Sequence, residues 1–297
     1  SVSKYFDRIT RPEQILSSLP QAIQTMLDPA DCGPATISMS QDVQGETFDY
    51  PEVFFEEKVH QIRRIHPDPN QIKVAAEKIK NSKQPIIISG GGVLYSEAEA
   101  ELSAFAKKHN IPVTATVMGI GCMKHDDPYY ISAIGCLGEG SSNNLSNDTD
   151  LAIAIGTKLA DFTTGSWTNF QNPDFSLVSI NTSRFDTTKH RAAPVVSDAK
   201  VGLNQLSEEL GDWKAPNSWY ERAIDERTKW ESYVQKQSGP TNQETPSYAH
   251  AVGAVYRNAD QTDIVVTAAG GLVGETVQIW KPKELNTFET EWGFSCM

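Results

Sequence analysis

Residues 85–92 read PIIISGGG, and this stretch decides the fold. A short apolar run that ends in glycines is typical of a strand in a parallel sheet covered by helices on both faces. The glycines allow a tight turn from the strand into a helix. We therefore predict a β-strand over residues 85–89 that turns at the glycine triplet into a helix.

The same alternation continues on both sides of this stretch. Apolar residues at helical spacing predict a helix from Asn70, as its N-cap, to about Ile79, and a second helix over about residues 96–109. Further apolar runs predict strands at residues 35–39, 111–116, 150–156, 176–180 and 194–196. Because strands alternate with helices, residues 67–210 should form an α/β domain with a doubly wound parallel sheet.

Two clusters of helix-breaking residues divide the chain. Pro67 and Pro69 should stop any helix and form an extended hinge, and SGPTN at residues 238–242 forms the second break. Only one helix and one strand are expected after that break, so the last domain should be cut short. The predicted organisation is the end of a flanking α/β domain at 1–56, a middle domain at 57–215, and a linker helix with the start of a third α/β domain at 216–297.

Composition excludes several functional classes. The formal net charge of -12 argues against nucleic acids and anionic membranes as main partners. No apolar run approaches the roughly 20 residues that span a bilayer, and the charged residues 1–11 do not resemble a signal peptide. Widely spaced cysteines favour free thiols in a reducing compartment, which places the protein in the cytoplasm. These cysteines are Cys32, Cys122, Cys136 and Cys296.

Glycine-rich turns follow several predicted strands. The triplet at residues 90–92 lacks the dinucleotide fingerprint because Tyr95 stands where its third glycine would be, so a tight turn is preferred over a nucleotide site. The loops at residues 119–121 and 135–140 either line a crevice or simply turn the chain. Residues 267–274 read TAAGGLVG, and by pattern alone this segment is either an anion-binding loop or a plain turn.

Neither an activated nucleophile nor a metal cluster is visible in the sequence. Ser166 and Ser295 lack the setting of a nucleophile elbow. The histidines are scattered, and His125 beside Asp126 and Asp127 indicates a solvated turn, because adjacent side chains in a loop point apart. Three aromatic residues are interpreted as core or interface residues: Trp167, Phe170 and Trp280.

Taken together, these patterns resemble the thiamine-diphosphate enzymes of the acetolactate-synthase and pyruvate-oxidase superfamily. Their subunits carry a pyrimidine-binding domain, a middle domain and a diphosphate-binding domain. Residues 33–44 resemble the closing strand of the first, and residues 83–92 and 150–156 resemble strands of the second. Residues 267–272 resemble the first diphosphate-contacting loop, and residues 293–297 resemble a "GLGTM" turn of the third domain.

Longer segments resemble one branch of this superfamily, which hydrolyses a cyclic 1,2-diketone to 5-deoxy-glucuronate in inositol catabolism. They are residues 3–14, 63–65, 181–200 and 289–297. The resemblance implies thiamine diphosphate and Mg2+ as cofactors, a small cyclic diketone as substrate, and a homodimer or homotetramer. An acetolactate-synthase-like carboligase or decarboxylase, and a nucleotide-binding or structural module, stay open as alternatives.

The resemblance also implies where the site lies. The family's activating glutamate falls before Ser1 and its Mg2+-binding segment falls after Met297, so no catalytic or metal residue is expected in this chain. We therefore expect an internal fragment that is inactive alone. Met297 matches the apolar residue that backs the bent cofactor. The cofactor-binding residues implied by the family motifs are Ala269, Gly270, Gly271, Leu272, Ser295, Cys296 and Met297.

Overall fold

The computed structural model describes residues 2–291, which fall into two compact units that meet between Ile65 and His66. The predicted domain boundaries after residues 56 and 215 stay predictions. Among the described residues, every helix is too short or too polar to cross a bilayer.

The first unit is built around a parallel pair of strands, β1 (Tyr5–Ile9) and β2 (Ala35–Met39), joined through helix α1 (Ile15–Met26). A short helix α2 (Gln41–Gln44) follows. Ile9 is fully buried, whereas Phe6 is 65% exposed. One face of this small sheet is therefore packed and the other is open.

The second unit contains a six-stranded parallel sheet with the strand order β5-β4-β3-β6-β7-β8. The strands are β3 (Pro85–Ser89), β4 (Val113–Ala115), β5 (Tyr130–Ala133), β6 (Leu151–Ile155), β7 (Ser176–Asn181) and β8 (Ala193–Val196). All neighbouring strands run parallel. The predicted α/β class with a doubly wound parallel sheet is confirmed.

Helices cover both faces of this sheet. They are α3 (Pro69–Asn81), α4 (Gly91–Tyr95), α5 (Glu99–His109), α6 (Gly140–Asp148), α7 (Asp161–Thr164), α8 (Arg184–Thr187), α9 (Ala199–Leu210) and α10 (Asn217–Ser238). Alternate residues of β3 pack against the helices on opposite faces of the sheet, because successive side chains of a strand point to opposite faces. Ile87 shares a core cluster with Ile79 and Leu206, whereas Ile88 shares another with Leu145 and Trp219.

The prediction for the start of α3 was wrong. The N-cap of α3 is Asp68, whose carboxylate accepts the Asn70 N–H at 2.7 Å, and Pro69 occupies the first helical position. Proline suits that position because its missing N–H would have no partner there, so this proline begins a helix where we predicted a hinge. The helix expected at about 96–109 is present as α5, which begins at Glu99 and is separated from the preceding α4 by Glu97, with a φ of 50°.

The glycine triplet makes a tight turn because another backbone segment lies against it. A Cβ at Gly92 would lie 2.5 Å from Gly156 Cα, and one at Gly90 would lie 2.4 Å from the Gly156 carbonyl oxygen. Only glycine allows the turn after β3 and the loop after β6 to approach so closely. This contact supports the structural interpretation of the triplet.

The last described segment packs on the same unit. It consists of α11 (Tyr248–Asn258), β9 (Val265–Thr267), α12 (Val273–Ile279) and β10 (Phe288–Thr290). Val277, Trp280 and Phe288 belong to the core cluster that contains Ile87. The predicted start of a third α/β segment therefore shares apolar packing with the six-stranded sheet.

Candidate functional site

The predicted cofactor loop lies at the C-terminal end of β9. Ala269, Gly270, Gly271 and Leu272 connect β9 to α12. β10 runs parallel to β9, with Thr290 in register with Thr267, and the Glu291 N–H donates to the Thr267 carbonyl at 3.0 Å. Both strands thus end at one edge, and the carboxyl ends of parallel strands are where α/β proteins bind ligands.

The backbone of this loop is open and offers hydrogen-bond donors. Gly270 has a φ of 144°, and a Cβ at this position would meet nothing within 4 Å. Within residues 2–291, the N–H groups of Ala269, Gly270 and Gly271 have no protein acceptor. Successive free N–H groups in a glycine-rich loop suit an anionic group. The loop therefore fits the diphosphate of the cofactor that the sequence implies.

The other predicted site residues are three near the end of the sequence. Ser295, Cys296 and Met297 lie outside the described residues. Throughout the described part of the chain, no cluster of three or more His, Cys, Asp or Glu side chains is arranged to hold a metal ion.

An open groove of about 770 Å³ lies elsewhere, between α11 and β9. Its lining includes Val255 and Ile264, each 62% exposed, and Val266, which is 73% exposed. None of the loop residues lines it. An exposed apolar surface of this kind is typical of a face that packs against another part of a protein, so we do not assign the site to it.

Sequence reasoning missed a buried ion pair near this segment. Lys281 Nζ lies 3.0 Å from Glu139 Oε2, and the two side chains are only 13% and 4% exposed. Burial raises the pKa of the Glu139 carboxyl, and the charge of Lys281 opposes that rise. No local pattern reveals such a pair, because its partners are far apart in the sequence.

A second polar group, which is half-buried, surrounds His125, so the prediction of a solvated turn is wrong for this side chain. His125 Nε2 donates to Glu231 Oε1 at 3.1 Å, and Arg227 Nε donates to the same oxygen at 2.8 Å. Arg227 also donates to the carbonyls of His125 and Tyr130. The hydrogen bond from His125, followed by that from Arg227, lowers the pKa of Glu231 to about 2 against the opposing effect of burial. Burial lowers the pKa of His125, and the hydrogen bond to Glu231 opposes this effect.

This group predicts a specific loss of stability in acid. The folded-state pKa of Glu231, about 2, lies below the ordinary value of 4.5, so its contribution is present above pH 4.5 and lost as the pH falls toward 2. His125 acts in the same direction below its ordinary pKa of 6.5. Urea unfolding at pH 7, 5, 4 and 3 should therefore show a shallower acid decline for Glu231→Gln than for the natural protein. The exposed carboxylate variant Glu244→Gln is the control; parallel declines in all three proteins would contradict the assignment.

Comparison with known proteins gives a family match in the middle of the chain and relatives over its whole length. Residues 72–206 match the family model described as thiamine pyrophosphate enzyme, central domain. Proteins named 3D-(3,5/4)-trihydroxycyclohexane-1,2-dione hydrolase are 37% identical in Clostridium tetani and 36% identical in Clostridium botulinum and Bacillus anthracis. Each of these matches covers 100% of this chain and 50% of the relative. The chain thus spans about half the length of these curated relatives.

Proposed function

We propose that this chain, whose residues 72–206 match the central domain of thiamine pyrophosphate enzymes, is part of a hydrolase that cleaves a C–C bond of a cyclic 1,2-diketone. The observation that carries the proposal is identity of 36–37% over the whole chain, including both flanks of the central domain. A match to the central domain alone would indicate only the superfamily. The flanks therefore support the substrate class.

The substrate that we propose is 3D-(3,5/4)-trihydroxycyclohexane-1,2-dione, after the printed names of the relatives. Hydrolysis of the ring between carbonyl carbons would give 5-deoxy-glucuronate in inositol catabolism, in the cytoplasm. We also propose a homodimer or homotetramer, as the resemblance to this family implies; the two-stranded sheets β1–β2 and β9–β10, with exposed side chains such as Phe6 and Val266, leave apolar faces for other parts of the protein or for a second subunit. Small sheets with an open face are stabilised by further packing.

The cofactors in this proposal are thiamine diphosphate and Mg2+. Bound thiamine diphosphate would supply the electron sink for C–C cleavage. The N–H groups of Ala269, Gly270 and Gly271 would hold its diphosphate, with Leu272 beside them. Ser295, Cys296 and Met297 would line the cofactor, with Met297 as its apolar support. Residues outside this chain would bind Mg2+ and activate the cofactor.

Gly270 provides the experiment that tests the cofactor loop. In the full-length protein that contains this chain, Gly270→Ala should raise the Kd of thiamine diphosphate about tenfold. A φ of 144° strains any residue with a Cβ, and strain of about 1–3 kcal/mol would move the backbone donors. The measurement is isothermal titration calorimetry in the presence of Mg2+.

Gly211→Ala is the matched control for this variant. Gly211 also has a positive φ, 61°, and a Cβ there would also meet nothing within 4 Å, but it lies at the end of α9. The Gly211→Ala protein should be less stable than the natural protein and should keep its affinity for thiamine diphosphate. Equal affinities for Gly270→Ala and the natural protein would remove the loop from the proposed site.

A further inference from the structure

The Glu139–Lys281 pair connects the six-stranded sheet to the segment that carries the cofactor loop. Glu139 is the N-cap of α6, and its N–H donates to the carbonyl of Ala133, the last residue of β5, at 2.8 Å. Its own carbonyl accepts the Asn143 N–H at 3.1 Å. The backbone of Glu139 is therefore fixed relative to the sheet, and its carboxylate binds Lys281 from this fixed position.

The cofactor loop leads into helix α12, and Lys281 lies just beyond the end of that helix. Trp280, which precedes it, is buried and packs edge-on against Tyr256 at a ring-centroid distance of 5.5 Å. The carbonyl of Pro282, which follows it, accepts the His125 N–H at 2.8 Å. The backbone at Lys281 is therefore held in place by its two neighbours, one of which contacts α11 and the other the loop before β5.

The same contacts extend along the chain to β10. The Asn286 N–H donates to the Gly121 carbonyl at 3.2 Å, and the Val265 N–H donates to the Thr287 carbonyl at 3.0 Å. Residues that precede and follow the β5 strand therefore hold the whole connection from α12 to β10. The β9–β10 pair, at whose edge the cofactor loop lies, takes its position from this connection.

A buried ion pair is a poor source of stability, because removing two charges from water offsets most of their attraction. It does impose one geometry, since a displaced lysine would leave the Glu139 carboxylate buried without a partner. We propose that Glu139 and Lys281 are positioning residues, which set the register of α12 and the loop Ala269–Leu272 for the cofactor. This inference rests on the proposed function and gives Glu139, a residue of the central domain, a part in positioning the cofactor loop.

The test separates position from stability by comparing four variants of the full-length protein. Lys281→Met should lower Tm and raise the Kd of thiamine diphosphate about tenfold, within the usual range for coupled sites. The double variant Glu139→Gln/Lys281→Met removes both charges, so it should regain Tm while its Kd stays raised. Lys281→Arg should keep a Kd near that of the natural protein. Lys124→Met breaks only the exposed Lys124–Glu284 pair in the same region and should leave Kd unchanged.

A second readout needs no cofactor. Amide hydrogen exchange of residues 268–272 in the full-length protein without cofactor should be faster in the double variant than in the natural sequence. A double variant that regains both Tm and Kd, with unchanged exchange, would overturn the inference. A natural protein that does not bind thiamine diphosphate would overturn the proposed function and the cofactor role with it, whereas the exchange result would still report on the positioning of the loop.

Discussion

The 297-residue chain alone should hydrolyse the cyclic dione no faster than the uncatalysed background, even with thiamine diphosphate and Mg2+ in excess. The loop offers three backbone N–H groups that have no acceptor among residues 2–291, and each hydrogen bond contributes about 0.5–1.5 kcal/mol net. General acid–base catalysis usually adds about 10²–10⁴-fold in rate, and our proposal places its residues outside this chain. Weak cofactor binding and the missing acid–base group together should abolish turnover.

The control for this prediction is the full-length protein under identical conditions, measured by loss of the dione. A third sample, in which the chain is mixed with the missing segments, would show whether the parts reassemble. Measurable turnover by the chain alone would mean that the catalytic residues lie within these 297 residues, contrary to our proposal.

The largest loss of stability should come from the centre of the stretch PIIISGGG. Ile87 is fully buried in the central strand β3 and contacts helices on one face of the sheet. Ile87→Ala should lower the free energy of unfolding by about 2–5 kcal/mol, because it removes buried methyl groups and leaves a cavity. Urea unfolding followed by far-UV circular dichroism measures the change.

Ile264→Ala is the matched control, because the same atoms are removed from a side chain that is 62% exposed. Its effect should be within about 0.5 kcal/mol. Similar losses in the two variants would show that β3 does not lie at the core of the unit.

The parallel sheet could be predicted because most of its strands are continuous apolar runs. Strands buried on both faces need such runs, and β3 and β6 consist of five buried residues each. β5 was missed because its four residues, YISA, include a polar serine. This serine, Ser132, can be buried because its Oγ is hydrogen bonded to Ser141 and Ser142 of α6.

Helix α6 shows the limit of local reasoning most clearly. Its sequence, GSSNNLSND, is poor in helix-forming residues and has no apolar periodicity. It forms where Asn144 donates to Glu226 of α10 and Leu145 enters the core. These tertiary contacts override the low helix propensity. Because they are not visible in the sequence, the glycines at 135–140 indicated only a permissive loop, and the helix that begins at Gly140 was not predicted.

The candidate site could be predicted only in part for a similar reason. Small residues and glycines after an apolar strand indicated the loop at Ala269, Gly270 and Gly271. The Glu139–Lys281 pair left no such pattern, because the two residues meet only when the last segment packs on the sheet. Ser295, Cys296 and Met297 stay predictions.

The central claim is that the chain belongs to a hydrolase of cyclic 1,2-diketones, and a substrate comparison tests it most directly. Purified full-length protein is incubated with thiamine diphosphate, Mg2+ and either 3D-(3,5/4)-trihydroxycyclohexane-1,2-dione or pyruvate. We predict that the dione is consumed with formation of 5-deoxy-glucuronate, and that pyruvate is unchanged. Conversion of pyruvate to acetolactate or carbon dioxide, with the dione left intact, would contradict the claim and identify a carboligase or decarboxylase.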